Sequence, residues 1–167
     1  MAASVRRKED ARFLSGRGNY TDDINRPGQV YAFIRRADRP HARINGIDIA
    51  AAKDAPGVLA VFTGADMAAE NIGGLPCGWQ IHSKDGSPMV EPPHPVIAAG
   101  KVRHVGDPVA VVVAETKQEA KDAAELVEID YQDLPSVATV QDAVAVGAPP
   151  AEAKQEPDRG LTTMGGD

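Results

Sequence analysis

Apolar side chains recur here in short runs of strand length, and only one stretch carries a clear helical repeat. Val30–Arg35 alternates Val30, Ala32 and Ile34 with Tyr31, Phe33 and Arg35, which predicts a strand. Large side chains stand on both of its faces, so it is expected to be covered on both sides. Arg43–Ile49 alternates Ile44, Gly46 and Asp48 against Asn45, Ile47 and Ile49. Asp48 then stands where an N-cap is wanted, before a short Ala-rich helix, Ala50–Ala55, that Pro56-Gly57 stops. Val58–Phe62 predicts another strand. Thr63 and Asp66 have the spacing of a capping box and predict a short helix near Ala65–Glu70. Val96–Ala98 and Lys101–Val105 predict short strands about a Gly100 turn. Pro108–Ala114 is the longest apolar run, and Val109–Ala114 within it predicts a central, buried strand. Thr116 and Glu119 form a second capping box, and Ala120, Ala123, Ala124 and Val127 follow on one helical face. Small alanines let that helix lie close to a sheet. Glu128–Tyr131 and Val137–Val140 predict the last strands.

Between these elements, residues 71–95 break all periodicity with Gly73-Gly74, Pro76, Gly78, Gly86, Pro88 and Pro92-Pro93. A loop this long usually has a purpose. Its Leu75, Trp79, Ile81, Met89 and Val90 are expected to pack on something. Residues 1–15 read as a polar arm, 16–147 as one folded domain, and 148–167 as a linker rich in Pro, Gly and charge. Roughly seven short strands and three helices, mixed rather than strictly alternating, predict an α+β fold.

Composition narrows the chemistry. A chain of 167 residues with 43% hydrophobic residues can bury a core, but only 4% are aromatic, so Val, Ile, Leu and Ala must fill it. The net charge of −6 argues against nucleic acid or an anionic membrane as the main partner. One cysteine, Cys77, excludes an internal disulfide and any four-thiolate zinc or iron–sulfur site. No apolar run approaches the roughly 20 residues that span a bilayer. Ala2–Val5 runs straight into charge instead of a signal-peptide core. A reducing cytoplasm is the expected setting.

The candidate chemical groups do not assemble into a catalytic set. Gly16-Arg17-Gly18 lacks a preceding strand, and Asp22 and Asp23 after it would repel a phosphate; a turn with both carboxylates capping amides is expected instead. Cys77, His82 and His94 lack the spacing of a metal site, and nothing near Cys77 would orient a thiol nucleophile. Arg35, Arg36, Arg39 and Arg43 surround His41, which suggests either an anion-binding patch or, more simply, a solvated strand end paired with acids. His104 reads as a strand-end residue. These residues supply no catalytic, cofactor-binding or metal position.

A resemblance supplies what the residues alone do not. Arg7-Lys8-Glu9-Asp10 with Arg12–Ile24 is similar to the opening of the large subunit of carbon monoxide dehydrogenases, xanthine dehydrogenases and aldehyde oxidases. Pro27-Gly28, His41-Ala42-Arg43-Ile44, Ile47-Asp48, Pro56-Gly57-Val58 and Val61–Asp66 resemble its next blocks. Val105–Thr116, Ala123-Ala124-Glu125, Ile129-Asp130-Tyr131 and Leu134-Pro135 continue the likeness, which covers about residues 6–147. Gly74–Pro95 resembles the variant found in bacterial carbon monoxide dehydrogenase-like proteins. Where the family usually carries Ser-Pro-His, this chain has Ala37-Asp38-Arg39-Pro40. Gly166-Asp167 stands where a Gly-Asp pair opens the family's cofactor domains, although Ala151–Met164 lacks the usual aromatic.

The resemblance implies an α/β-hammerhead fold, with a mixed sheet of short strands and two or three helices. It also implies that the complete enzyme is an oxidoreductase with a molybdenum–pterin cofactor, and that iron–sulfur clusters and FAD sit on partner subunits. The family's cofactor contacts and catalytic glutamate belong to later domains, so none is carried over to this chain. The expected partners are those later domains and the electron-transfer subunits, with self-pairing when the domain is isolated. Substrate choice belongs to pocket loops outside it. The alternatives are a free-standing assembly module without catalysis and a small metal or thiol enzyme using Cys77, His82 and His94.

Overall fold

The computed structural model describes residues 7–89, 94–145 and 147. Within them the chain runs α1 (Asp10–Leu14), a 3₁₀ turn (Thr21–Asp23), β1 (Tyr31–Arg36), β2 (Ala42–Asp48), α2 (Ala50–Lys53), β3 (Val58–Thr63) and α3 (Gly64–Ala69). After the long loop come β4 (Lys101–Val102), β5 (Pro108–Ala114), α4 (Lys117–Glu125), β6 (Glu128–Asp133) and α5 (Val140–Ala143). The expected α+β architecture of short strands with a few helices is present. The strands divide into two three-stranded sheets, ordered β1-β5-β3 and β4-β2-β6, and every described pairing is antiparallel.

β5 is the central strand of the first sheet, as its unbroken valine and alanine run requires. Both neighbours meet it residue for residue: Phe33 and Val61 flank Val112, while Ile34 and Phe62 flank Val111. The side chains that alternate along these strands therefore form two faces. On the inner face Val61, Ala110 and Val112 are buried and join Ala123, Ala124 and Val127 of α4. Alanines on α4 bring the helix backbone close to the sheet. Its first turn is held by Thr116, whose N–H and hydroxyl donate to Glu119 Oε2 at 3.0 and 2.8 Å, while Glu119 N–H donates back to the hydroxyl at 3.2 Å.

A second small core lies beneath the other sheet, formed by Ala37, Ala42, Ala98, Val102 and Val109. Ile47 and Ile129 pack against both cores and so join the two sheets. Gly57 holds φ +72° between α2 and β3, and a Cβ there would run into the Glu119 carboxylate, so this turn and the α4 cap share one small space.

Several expectations need correction. β1 is covered on one side only: Ala32 and Ile34 are exposed on its outer face, because size alternation along a strand does not report what lies above it. Val96–Ala98 forms no strand. Ile97 and Ala98 are buried, and Ala98 N–H donates to Pro108 O at 2.7 Å without extending into a ladder among the described residues. The strand expected over Lys101–Val105 ends at Val102, because His104–Asp107 turns instead. Val137–Val140 is not a strand either; the Thr139 hydroxyl accepts the Asp142 N–H at 3.1 Å and starts the single turn of α5. In the long loop Leu75, Trp79 and Ile81 are 55%, 79% and 41% exposed, against the expectation that they pack, while Met89 is half-buried. Val90 and residues 148–167 lie outside the described residues.

Candidate functional site

The residues singled out for chemistry are held by local duties at separate places. Asp23 Oδ2 accepts the Tyr20 N–H at 2.9 Å and closes the 3₁₀ turn. Among the described residues Asp22 caps no amide; its carboxylate lies 3.3 Å from Lys117 Nζ, both well exposed. Gly18 lies beneath the stacked rings of Phe13 and Tyr20, whose centroids are 5.6 Å apart, and a side chain there would press on both. That close approach explains the glycine without any phosphate.

In the long loop, Cys77 Sγ lies 3.1 Å from the Trp79 carbonyl, and His82 pairs in an isolated bridge with Pro88. The His94 carbonyl accepts Leu75 N–H at 2.7 Å. Among the described residues no three His, Cys, Asp or Glu side chains come together in a way that would hold a metal ion.

The arginine cluster disperses. Arg36 Nη1 donates to the Gly106 carbonyl at 2.8 Å, and Arg39 Nε lies 3.6 Å from Asp133 and 3.8 Å from Asp38. His41 ties the entry of β2 to the exit of β6: its Nδ1 is 2.7 Å from the Pro135 carbonyl, and its own carbonyl accepts Leu134 N–H at 2.9 Å. Of the four arginines, Arg39 is seen beside acids and Arg36 on a carbonyl, so they do not converge on one anion position.

Two residues at the same end of the sheets were not singled out in the sequence. Asp107 is buried, accepts Arg103 N–H at 2.7 Å and stands 3.5 Å from His104 Nε2. The Gly106-Asp107-Pro108 turn was the available signal. Tyr131 places its hydroxyl in the interior without a hydrogen-bond partner, as are Arg35 Nε and His41 Nε2. Burial pushes the Tyr131 phenol above its usual range, Asp38 adds to this, and Arg35 and Arg39 oppose it. The junction thus holds buried polar atoms, with charges of both signs, Arg35, Arg39, Asp38 and Asp107, acting on the Tyr131 hydroxyl. Elsewhere, a shallow hollow between β2 and β6 is lined by Asp48, Glu128 and Asp130, and Asp48 is already engaged in accepting Ala50 N–H at 2.9 Å.

Comparison with known proteins decides the family. Residues 15–135 match the family model described as aldehyde oxidase and xanthine dehydrogenase, a/b hammerhead domain. The chain belongs to this hammerhead family. It is 37% identical over 157 residues to the nicotine 6-hydroxylase large subunit of Paenarthrobacter nicotinovorans, covering 94% of this chain and 18% of that one. It is 39% identical over 135 residues to the carbon monoxide dehydrogenase large chain of Afipia carboxidovorans, covering 81% and 15%. Among solved structures, quinoline 2-oxidoreductase from Pseudomonas putida 86 superposes with a TM-score of 0.73 at 37% identity, over 84% of this chain and 17% of the other. This hammerhead chain therefore spans less than a fifth of the relatives it matches. Among its described residues no helix is long and apolar enough to cross a membrane.

Proposed function

We propose that this chain is the N-terminal hammerhead domain, residues 16–147, of a carbon monoxide dehydrogenase-like molybdenum hydroxylase large subunit, acting in the cytoplasm. The observation that carries the reading is the pair of proportions above: 81–94% of this chain aligns to 15–18% of each relative. On this reading the domain is a scaffold and catalyses nothing by itself.

A molybdenum–pterin group does not fit the side chains described. The histidines and Cys77 are spread over separate turns, and the buried polar atoms at the β1–β6 junction are closed off by the fold. We therefore assign the molybdenum–pterin group to the remaining domains of the large subunit, and iron–sulfur clusters and FAD to partner subunits. No catalytic step is attributed to residues of this chain.

The test is a pull-down of the tagged chain from its host, with metal analysis of the eluate. Molybdenum and iron together with larger partner chains are expected. Recovery of the bare chain without metal would point to a free-standing module. Stoichiometric molybdenum on the purified chain alone would overturn the claim that it is inactive in isolation.

A further inference from the structure

β2 carries an Asn-Gly pair, Asn45-Gly46, where its ladder with β6 slips. Ile44 stands opposite Tyr131 and Gly46 opposite the adjacent Asp130, so Asn45 is the extra residue of a β-bulge and faces no residue of β6. On the other side of β2, the pairing with β4 covers only Ala42 and Arg43. Asn45 and Gly46 are both exposed, and among the described residues the Asn45 carboxamide makes no hydrogen bond. Asn19, Asn25 and Asn71 precede Tyr20, Arg26 and Ile72, so Asn45 is the asparagine of this chain that a glycine follows.

We propose that Asn45-Gly46 is a self-modification site, at which the folded chain converts its asparagine to an isoaspartyl residue in water. The Gly46 amide nitrogen attacks Asn45 Cγ. The N–Cγ bond forms, the Cγ–Nδ2 bond breaks, and ammonia leaves with the amide proton. Water then opens the cyclic imide. Attack at the main-chain carbonyl carbon of residue 45 gives an isoaspartyl link, and attack at Cγ gives an ordinary aspartyl link. Water is the co-reactant, and nothing is oxidised or reduced.

Ring closure needs the backbone at Asn45 to rotate until the Gly46 nitrogen meets Cγ. A regular ladder resists that rotation, and the bulge removes the β6 partner that would enforce it. Glycine has no Cβ to obstruct the approach. Asp85-Gly86 offers the same backbone step from a poorer electrophile: Asp85 Oδ1 accepts the Ser87 N–H and hydroxyl at 2.9 and 2.6 Å, and a carboxylate has no amine to lose. The product changes β2. An isoaspartyl link adds a methylene carbon to the backbone and a negative charge, beside the hollow that Gly46 lines with Asp48, Glu128 and Asp130. Ile47, which packs against both cores, follows directly. Modification therefore loosens β2 from β6.

The experiment incubates the purified full chain at physiological pH and temperature. The tryptic peptide Ile44–Lys53 is followed by mass spectrometry, and by methyl transfer from S-adenosylmethionine with an isoaspartyl methyltransferase as the probe. Asn45 is expected to convert at a rate within about tenfold of that in the urea-unfolded chain, while Asn71 stays unchanged. A larger gap between the folded and unfolded rates would show that the strand protects the pair, and would overturn the site. Gly46→Ala is expected to slow conversion in the folded chain by at least about tenfold. Its added Cβ meets nothing within 4 Å and position 46 needs no positive φ, so the variant keeps the fold. An unchanged rate in that variant would overturn the route through the Gly46 nitrogen. The converted chain is expected to melt below the fresh one, and equal melting temperatures would overturn the loosening of β2.

Discussion

The two faces of the β1–β5–β3 sheet are built from nearly the same amino acids and have opposite fates. Inside, Val61, Ala110 and Val112 meet α4 and are enclosed. Outside, on the same strands, Ile34 and Phe62 are exposed and Val111 and Val113 are half-buried. Composition therefore does not distinguish an enclosed face from an open one. What distinguishes them is whether the chain supplies a second layer, and α4 is the single helix of more than two turns among those described.

The contrast can be broken most severely by placing the same charge on each face. Val112→Lys puts an unpaired ammonium beneath α4, at a cost of several kcal/mol against a total stability of about 5–15 kcal/mol. Loss of the folded state is expected by circular dichroism. Ile34→Lys, across a strand pair on the other face, is expected to cost less than about 1 kcal/mol in a urea titration. Equal losses would show that the outer face is covered within the chain after all.

Next in size is Gly57→Ala. It strains a left-handed backbone and pushes on the Glu119 carboxylate, so it weakens the turn and the α4 cap together, by about 1–3 kcal/mol. Thr116→Ala alone should remove about 1 kcal/mol of stability. Thr139→Ala, at the matching cap of α5, should remove much less, because that single turn buries no residue. Comparable effects from the two caps would mean that α4 holds the inner face no more firmly than a surface turn does.

The smallest effects concern protons. Hydrogen bonds from the Thr63 N–H and hydroxyl, at 2.6 and 2.8 Å, hold the Asp66 carboxyl below its usual range. A depressed carboxylate stabilises the fold above its unfolded value, and that stability is lost as pH falls through the lowered one. Asp66→Asn should therefore flatten the loss of stability below about pH 4. Tyr131 has the opposite sign: its contribution is present below about pH 10 and fades as pH rises through the raised value. Because its buried hydroxyl lacks a partner, Tyr131→Phe should be neutral or slightly stabilising in a thermal melt at pH 7.

Legibility in the sequence followed the strength of local patterns. β5 and α4 were readable because seven apolar residues in a row, and a capping box followed by spaced alanines, leave one interpretation each. Val96–Ala98 and Val137–Val140 misled because three or four apolar residues fit a strand, a buried crossing or a helical turn equally well. The Thr139 and Asp142 spacing carried the correction. The open face of the first sheet was hidden for a different reason: alternation told which side chains share a side of β1, but not which side α4 takes. Tyr131 and Asp107 acquire their burial from the meeting of two sheets distant in sequence, and no local pattern encodes that.

The order β1-β5-β3 also fixes a schedule. Both edge strands of that sheet are synthesised before the strand that pairs them, and β2 likewise precedes β6. At about 5–20 residues per second, the chain must extend for about 3–10 s after Thr63 before Ala114 exists. During that interval Ile34 and Phe62 stand on unpaired strands, so nascent chains of this protein are expected to be clients of ribosome-associated chaperones.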